Sequence, residues 1–173
     1  MNPPKINSHI GTAGFVIEGL YNWIFAMGGS PHICIVADWE GNQLPADLPV
    51  QTQQIANDDD DRIIELPTII LNIGDKATRG LTFYRGKESK STHDPVTHLL
   101  FSARSNGVHF DATIDVNSIL SAFMLEESGR GMSLGNNSAL EEYVSKLVSG
   151  TSAEAPVPVA PKPTGRPTLS VVK

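Results

Sequence analysis

The chain has 173 residues, and its 19 acidic against 13 basic residues leave a formal net charge of −6. That length suits one domain of about 100–150 residues with extensions. The acidic balance excludes the basic field that neutralises phosphates, so nucleic acid is not expected as the main partner. The single cysteine, Cys34, excludes a disulfide framework; set in the apolar run ICIV, it reads as a buried thiol in a reducing compartment. The opening MNPPKINSHIG lacks the apolar stretch of a secretory signal, and no run approaches the roughly 20 apolar residues of a membrane span. A soluble cytoplasmic protein is expected.

From residue 7 to residue 27 the residues Ile10, Phe15, Val16, Leu20, Trp23, Ile24 and Met27 recur at helical spacing. The pattern predicts a helix started by Ser8 and stopped by Gly28 and Gly29. Ile17, Tyr21 and Phe25 extend the apolar surface to another side, and a helix apolar on two sides calls for a second partner. After Pro31, HICIVADW reads as a strand and EGNQLPADL as a turn-rich connection.

Residues 51–66 hold the consecutive Asp58, Asp59, Asp60 and Asp61 and read as a solvated loop, because adjacent carboxylates are not spaced to converge on a cation. Strands are predicted at 68–73, 81–84, 96–104 and 108–114, the last two joined by the hairpin signal SNG. Asp115 is expected to cap a helix carrying the stripe Val116, Ile119, Leu120, Phe123 and Met124, ended by Gly129 to Gly131. Residues 138–148 read as a short amphipathic helix of marginal length through Leu140, Val144, Leu147 and Val148. Beyond Gly150 the stretch TSAEAPVPVAPKPTG, with no aromatic residue, reads as a disordered, partly extended tether. Its reach at polyproline-like extension is on the order of 45 Å.

Residues for catalysis or metal binding do not converge in this pattern. His9, His32, His93, His98 and His109 form no H-E-x-x-H or His/Cys ligand spacing, and His32 with Cys34 supplies only two ligands on one strand face. GDKATRG at 74–80 lacks the Lys-Ser/Thr ending of a phosphate-binding loop, and Glu126 with Glu127 reads as a polar helix end. No cofactor, metal or enzymatic activity is expected; the reading is binding, not turnover.

Four motifs in order then carry a resemblance: GLYNWI at 19–24 with SPHI at 30–33; IILNI at 69–73 with the loop GDKATRGL; FSARSNG at 101–107 followed by a strand; and the terminal GRPTLSVVK at 165–173. Over about residues 15 to 127, and most specifically in the last nine, the chain resembles the SspB (stringent starvation protein B) family. These are adaptors that deliver tagged substrates to the ClpXP protease.

The resemblance implies a mainly β (α+β) fold, an Sm-like, barrel-like β-sandwich with an N-terminal dimerisation helix and a disordered C-terminal tail. Residues 1–135 would be the substrate-binding and dimerisation domain, 136–164 a linker containing the short helix and the Pro-rich tether, and 165–173 the ClpX-binding peptide. Phe15 and Gly19 match the dimer contacts. Lys76, Ala77 and Thr78 match one wall of a groove for the ssrA degradation tag, and Ser102, Ala103 and Arg104 the other. Arg166, Pro167, Leu169, Val171, Val172 and Lys173 match the segment that binds the zinc-containing N-terminal domain of ClpX; the zinc belongs to that partner. The segments 51–66 and 85–95 are longer than the family pattern and bear on the groove's shape and client. A ClpX-binding decoy or inhibitor, an adaptor for a different client, and an RNA-binding module suggested by Sm-like architecture are the alternatives.

Overall fold

The computed structural model describes residues 11–56, 63–126, 130–135 and 137–150. Helix α1 spans Ala13–Ala26 and is followed by strands β1 (Pro31–Val36), β2 (Gln51–Ala56), β3 (Ile63–Asn72), β4 (Arg79–Tyr84), β5 (His98–Ser105) and β6 (Val108–Asp115). A single 3₁₀ turn, Val116–Ser118, leads into β7 (Ile119–Met124), the short β8 (Gly131–Ser133) and helix α2 (Ser138–Gly150). The fold is therefore mainly β, with two helices against two antiparallel sheets in the order β2-β3-β1-β7-β8 and β4-β5-β6. Among the described residues no helix is long and apolar enough to cross a membrane.

Strand β1 organises the core because all six of its residues are buried. Side chains alternate across a strand, so Ile33 and Ile35 enter the core shared with Leu99, Phe101, Ala112 and Ile114 of the smaller sheet. Cys34 and Val36 face the other way and join Leu66 and Leu120 beneath α2, which contributes Leu140, Tyr143, Val144 and Leu147. The expected short helix exists and docks on the outer face of the larger sheet. Tyr143 also donates its hydroxyl to Asp38, and burial, with that carboxylate, pushes the Tyr143 pKa up.

The helix expected at 116–124 is corrected to a 3₁₀ turn and a strand. Asp115 does cap, its Oδ1 accepting the Asn117 N–H at 2.9 Å, but only three residues of turn follow. Strand β1, buried on both faces and paired on one side with β3, takes β7 as its second neighbour. The register shifts between Cys34 and Ile35, leaving Leu120 as an extra residue on β7. As a result Ile119 and Ala122 reach the inter-sheet core while Leu120 and Phe123 reach the α2 side. Apolar residues three apart share a face, a spacing that imitates a helical stripe.

Two further expectations shift. The loop read into 51–66 is largely strand: β2 pairs with β3 from Gln51 opposite Thr68 to Ala56 opposite Ile63. QTQQ concealed this because an edge strand with an exposed face carries no apolar alternation. Asp58 to Asp61 lie outside the described residues, as does Ser8. Helix α1 begins at Ala13 among the described residues, and Gly11 just before it is packed against Asn137, where an added Cβ would stand 2.6 Å from the Asn137 Cβ.

The predicted stop holds. Gly28 has φ +78° and its N–H bonds the Phe25 carbonyl, while the Gly29 N–H bonds that of Ile24, the paired closure that a left-handed residue after a helix makes. The chain is then pinned where Ser30 N–H donates to both carboxylate oxygens of Glu126 at 3.1 and 3.0 Å. Those bonds to the Ser30 backbone hold the Glu126 pKa below its ordinary value. A depressed carboxylate pKa stabilises the fold above the unfolded value, about 4.3, and that contribution is lost as pH falls through the folded value. Urea unfolding of Glu126→Gln should therefore fall below wild type at neutral pH and converge with it under acid; a constant gap down to about pH 3 would contradict this.

Candidate functional site

The turn after β3 is wound tightly by its own polar groups. Asn72 Oδ1 accepts the Gly74 N–H at 2.9 Å, and the Gly74 carbonyl accepts the N–H groups of Ala77 and Thr78 at 3.0 and 2.9 Å. The buried Thr78 hydroxyl lies 3.0 Å from the Gly74 carbonyl and 3.3 Å from that of Ile73. Thr78 is thus a structural peg whose hydroxyl bonds inward. Lys76 and Arg79 are exposed at either side of it.

Opposite stands the β5–β6 hairpin. Its two-residue turn is Asn106 (φ 50°) and Gly107 (φ 83°), consecutive left-handed residues whose twist matches antiparallel strands. The turn fixes Ser105 opposite Val108, Arg104 opposite His109, Ala103 opposite Phe110 and Ser102 opposite Asp111. Ser102 Oγ donates to Asp111 Oδ1 at 2.6 Å, whereas no hydrogen bond or ion pair engages the Arg104 side chain among the described residues.

Between turn and hairpin lies an open groove of about 620 Å³. All six residues that the resemblance assigned to two walls, Lys76, Ala77, Thr78, Ser102, Ala103 and Arg104, line it. Three more that the assignment missed, Asp75, Arg79 and His109, line it as well. The position of His109 was available by counting outward from the Asn106–Gly107 turn. Arg79 required knowledge of the β4 register, which places it opposite Ser102.

The groove gathers Lys76, Arg79 and Arg104 against Asp75 in a chain whose net charge is −6. Small Ala77 and Ala103 leave room for a backbone, and cations with no partner among the described residues can supply charge-assisted bonds to carboxylates. A second hollow of about 620 Å³ opens between β2, β7, β8 and α2. Its lining, including Ile55, Phe123 and Met132, contains no titratable side chain and so offers apolar contact without charge to orient a ligand.

On α1 the buried side is Ala13, Gly14, Ile17 and Ile24. Phe15 is 60% exposed, with Trp23, Phe25 and Met27 also exposed. Nothing stands within 4 Å of a Cβ built at Gly19. The long 85–95 segment lies beside this helix rather than at the groove: Arg85 pairs with Glu18 and donates from Nε to the Asp94 carbonyl at 2.9 Å. The Asp94 carboxylate holds the segment together by accepting from Ser89, Lys90 and Ser91. Cys34 is buried with its Sγ 3.3 Å from Gln53 Oε1, and burial pushes the thiol pKa up. His32 stacks on Phe123, and His98 packs beside Tyr84. Arg166, Pro167, Leu169, Val171, Val172 and Lys173 lie outside the described residues.

Comparison with known protein families and with curated proteins finds no match to either.

Proposed function

We propose that this chain is a protease adaptor of the SspB kind: the groove holds an extended degradation-tag peptide similar to the ssrA tag, and the tail at 165–173 tethers the complex to the N-terminal domain of ClpX. The observation that carries the reading is the convergence of the six wall residues on one open groove, where Lys76, Arg79 and Arg104 have no side-chain hydrogen bond or ion pair among the described residues. An edge of small residues with a few fixed polar groups is how extended peptides are held. The activity is one of association; the chain brings a substrate to an enzyme and makes no bond itself.

The same proposal extends to architecture. Two antiparallel sheets that share a core are compatible with an Sm-like, barrel-like sandwich, and in this reading the exposed face of α1 at Phe15 and Gly19 pairs with a second copy. An oligomer would double the tails offered to a multi-subunit partner, raising effective concentration without new contacts. The setting for this work is the cytoplasm.

A fluorescence titration with labelled ssrA peptide tests the groove. Saturable binding is expected in wild type, with about tenfold weaker affinity in Arg104→Ala, the loss of one charge-assisted bond, at an unchanged unfolding midpoint. Absence of binding in wild type removes the standard tag as ligand; equal affinity in the variant removes Arg104 from the site. Degradation of an ssrA-tagged protein by ClpXP separates delivery from blockade, since an adaptor accelerates it and a decoy slows it.

A further inference from the structure

The hairpin that forms one wall of the groove places two nitrogen-rich side chains directly across from each other, Arg104 on β5 and His109 on β6. Both line the groove and both are exposed. Directly opposed residues in an antiparallel pair stand about 5 Å apart at Cβ, and like charges there repel. The next pair along the same face is complementary, Ser102 donating to Asp111. An Arg–His pair whose nearest carboxylate, Asp111, stands at 4.0 Å from His109 and already accepts from Ser102 is a place for an anion from outside.

We infer that His109 determines specificity in this groove, its imidazolium joining the Arg104 guanidinium around one carboxylate of the bound peptide. This rests on the groove being a peptide site. The ligand class is a peptide carboxylate, on an Asp or Glu side chain or at the C-terminus.

The charged groups around His109 set the sign. From β5 it faces Arg104; on β6 its Nε2 is 4.0 Å from Asp111 Oδ1; the turn after β3 contributes Asp75, Lys76 and Arg79 to the same groove. Asp111 already accepts a hydrogen bond from the Ser102 hydroxyl through that oxygen, and it lies along the strand rather than across from His109. A neutral imidazole offers one N–H donor, a protonated one offers two and a charge. Binding of an acidic peptide is therefore tighter when His109 is protonated.

The experiment titrates full-length protein with the labelled ssrA peptide at about pH 8 and about pH 5.5, either side of the ordinary histidine value of about 6.5 and above that of carboxylates near 4. Wild type is expected to bind about fourfold more tightly at the lower pH, the scale of one partly exposed ion pair. His109→Gln should lose this difference, and His109→Arg should bind tightly at both values, a rescue that a merely structural histidine would not show. Two altered peptides, one with every Asp and Glu replaced by Asn and Gln and one with an amidated C-terminus, identify the carboxylate; one of them should abolish the pH difference.

Retention of the wild-type pH difference in His109→Gln, failure of His109→Arg to rescue, or an undiminished difference with both altered peptides would each overturn the inference while leaving the groove a peptide site. No binding of any peptide at either pH overturns the peptide reading and the inference together.

Discussion

If the proposed reading holds, deletion of residues 165–173 is expected to abolish association with ClpX and to leave the affinity for ssrA peptide unchanged, the largest effect expected in the chain. Were the segment to dock as an extended peptide, alternation would put Leu169 and Val171 on one side and Val172 on the other. Each contact alone, tag in groove and tail on ClpX, is expected to be weak. Joined in one chain, the two would act at an effective concentration that raises avidity by about 10²–10⁴-fold, and removing one end would forfeit all of it. Binding of fluorescently labelled isolated ClpX N-terminal domain to full-length and shortened protein measures the effect. Equal affinity for both would eliminate the tail as the dock.

Leu140→Ala is expected to lower stability by about 3–5 kcal/mol, the upper part of the usual cost of emptying a buried leucine site. Leu140 is buried in the layer formed by Cys34, Val36, Leu66 and Leu120, and its Cδ2 would stand 3.1 Å from a Cβ built at Gly135. The backbone there is thus close to the side chain, which limits collapse into the vacated space. The helix start is also specified by side chains, with Asn137 Oδ1 accepting the Leu140 N–H at 2.8 Å. Urea unfolding reads the loss, and Glu141→Ala, one residue along and exposed, should stay within about 0.5 kcal/mol of wild type. Loosening α2 should also open Cys34 to a thiol reagent, because that helix covers its face of the sheet. Unchanged stability and unchanged thiol reactivity together would show that α2 does not belong to the folded unit.

The two wall segments of the groove were legible as motifs, yet their meeting was not. Lys76 to Thr78 and Ser102 to Arg104 come together because Arg79 at the head of β4 registers opposite Ser102 on β5. That pairing crosses more than twenty residues and leaves no local signal. The misread stretch at 119–124 fails for a related reason: a strand apolar on both faces with an extra residue loses the period-two signature by which strands are recognised. Polar β2 fails in the opposite direction, being an edge strand held by its hydrogen-bond ladder to β3 rather than by burial.

The amino-acid sequence by itself determined the features that depend on neighbours along the chain. Glycines 28 and 29 close α1, Asn106 and Gly107 make the hairpin and thereby set Arg104 against His109, Asp115 caps its turn, and Leu140, Val144 and Leu147 mark the buried side of α2. Only the tertiary structure decided that Ile119–Met124 is a strand, that α2 covers Cys34, and that cations from separate segments share one groove. Turn geometry and side-chain spacing act over a few residues through backbone sterics. Strand partnership and the gathering of charge are settled by which distant surfaces bury one another, and β1, buried on both faces, is where this chain settles them.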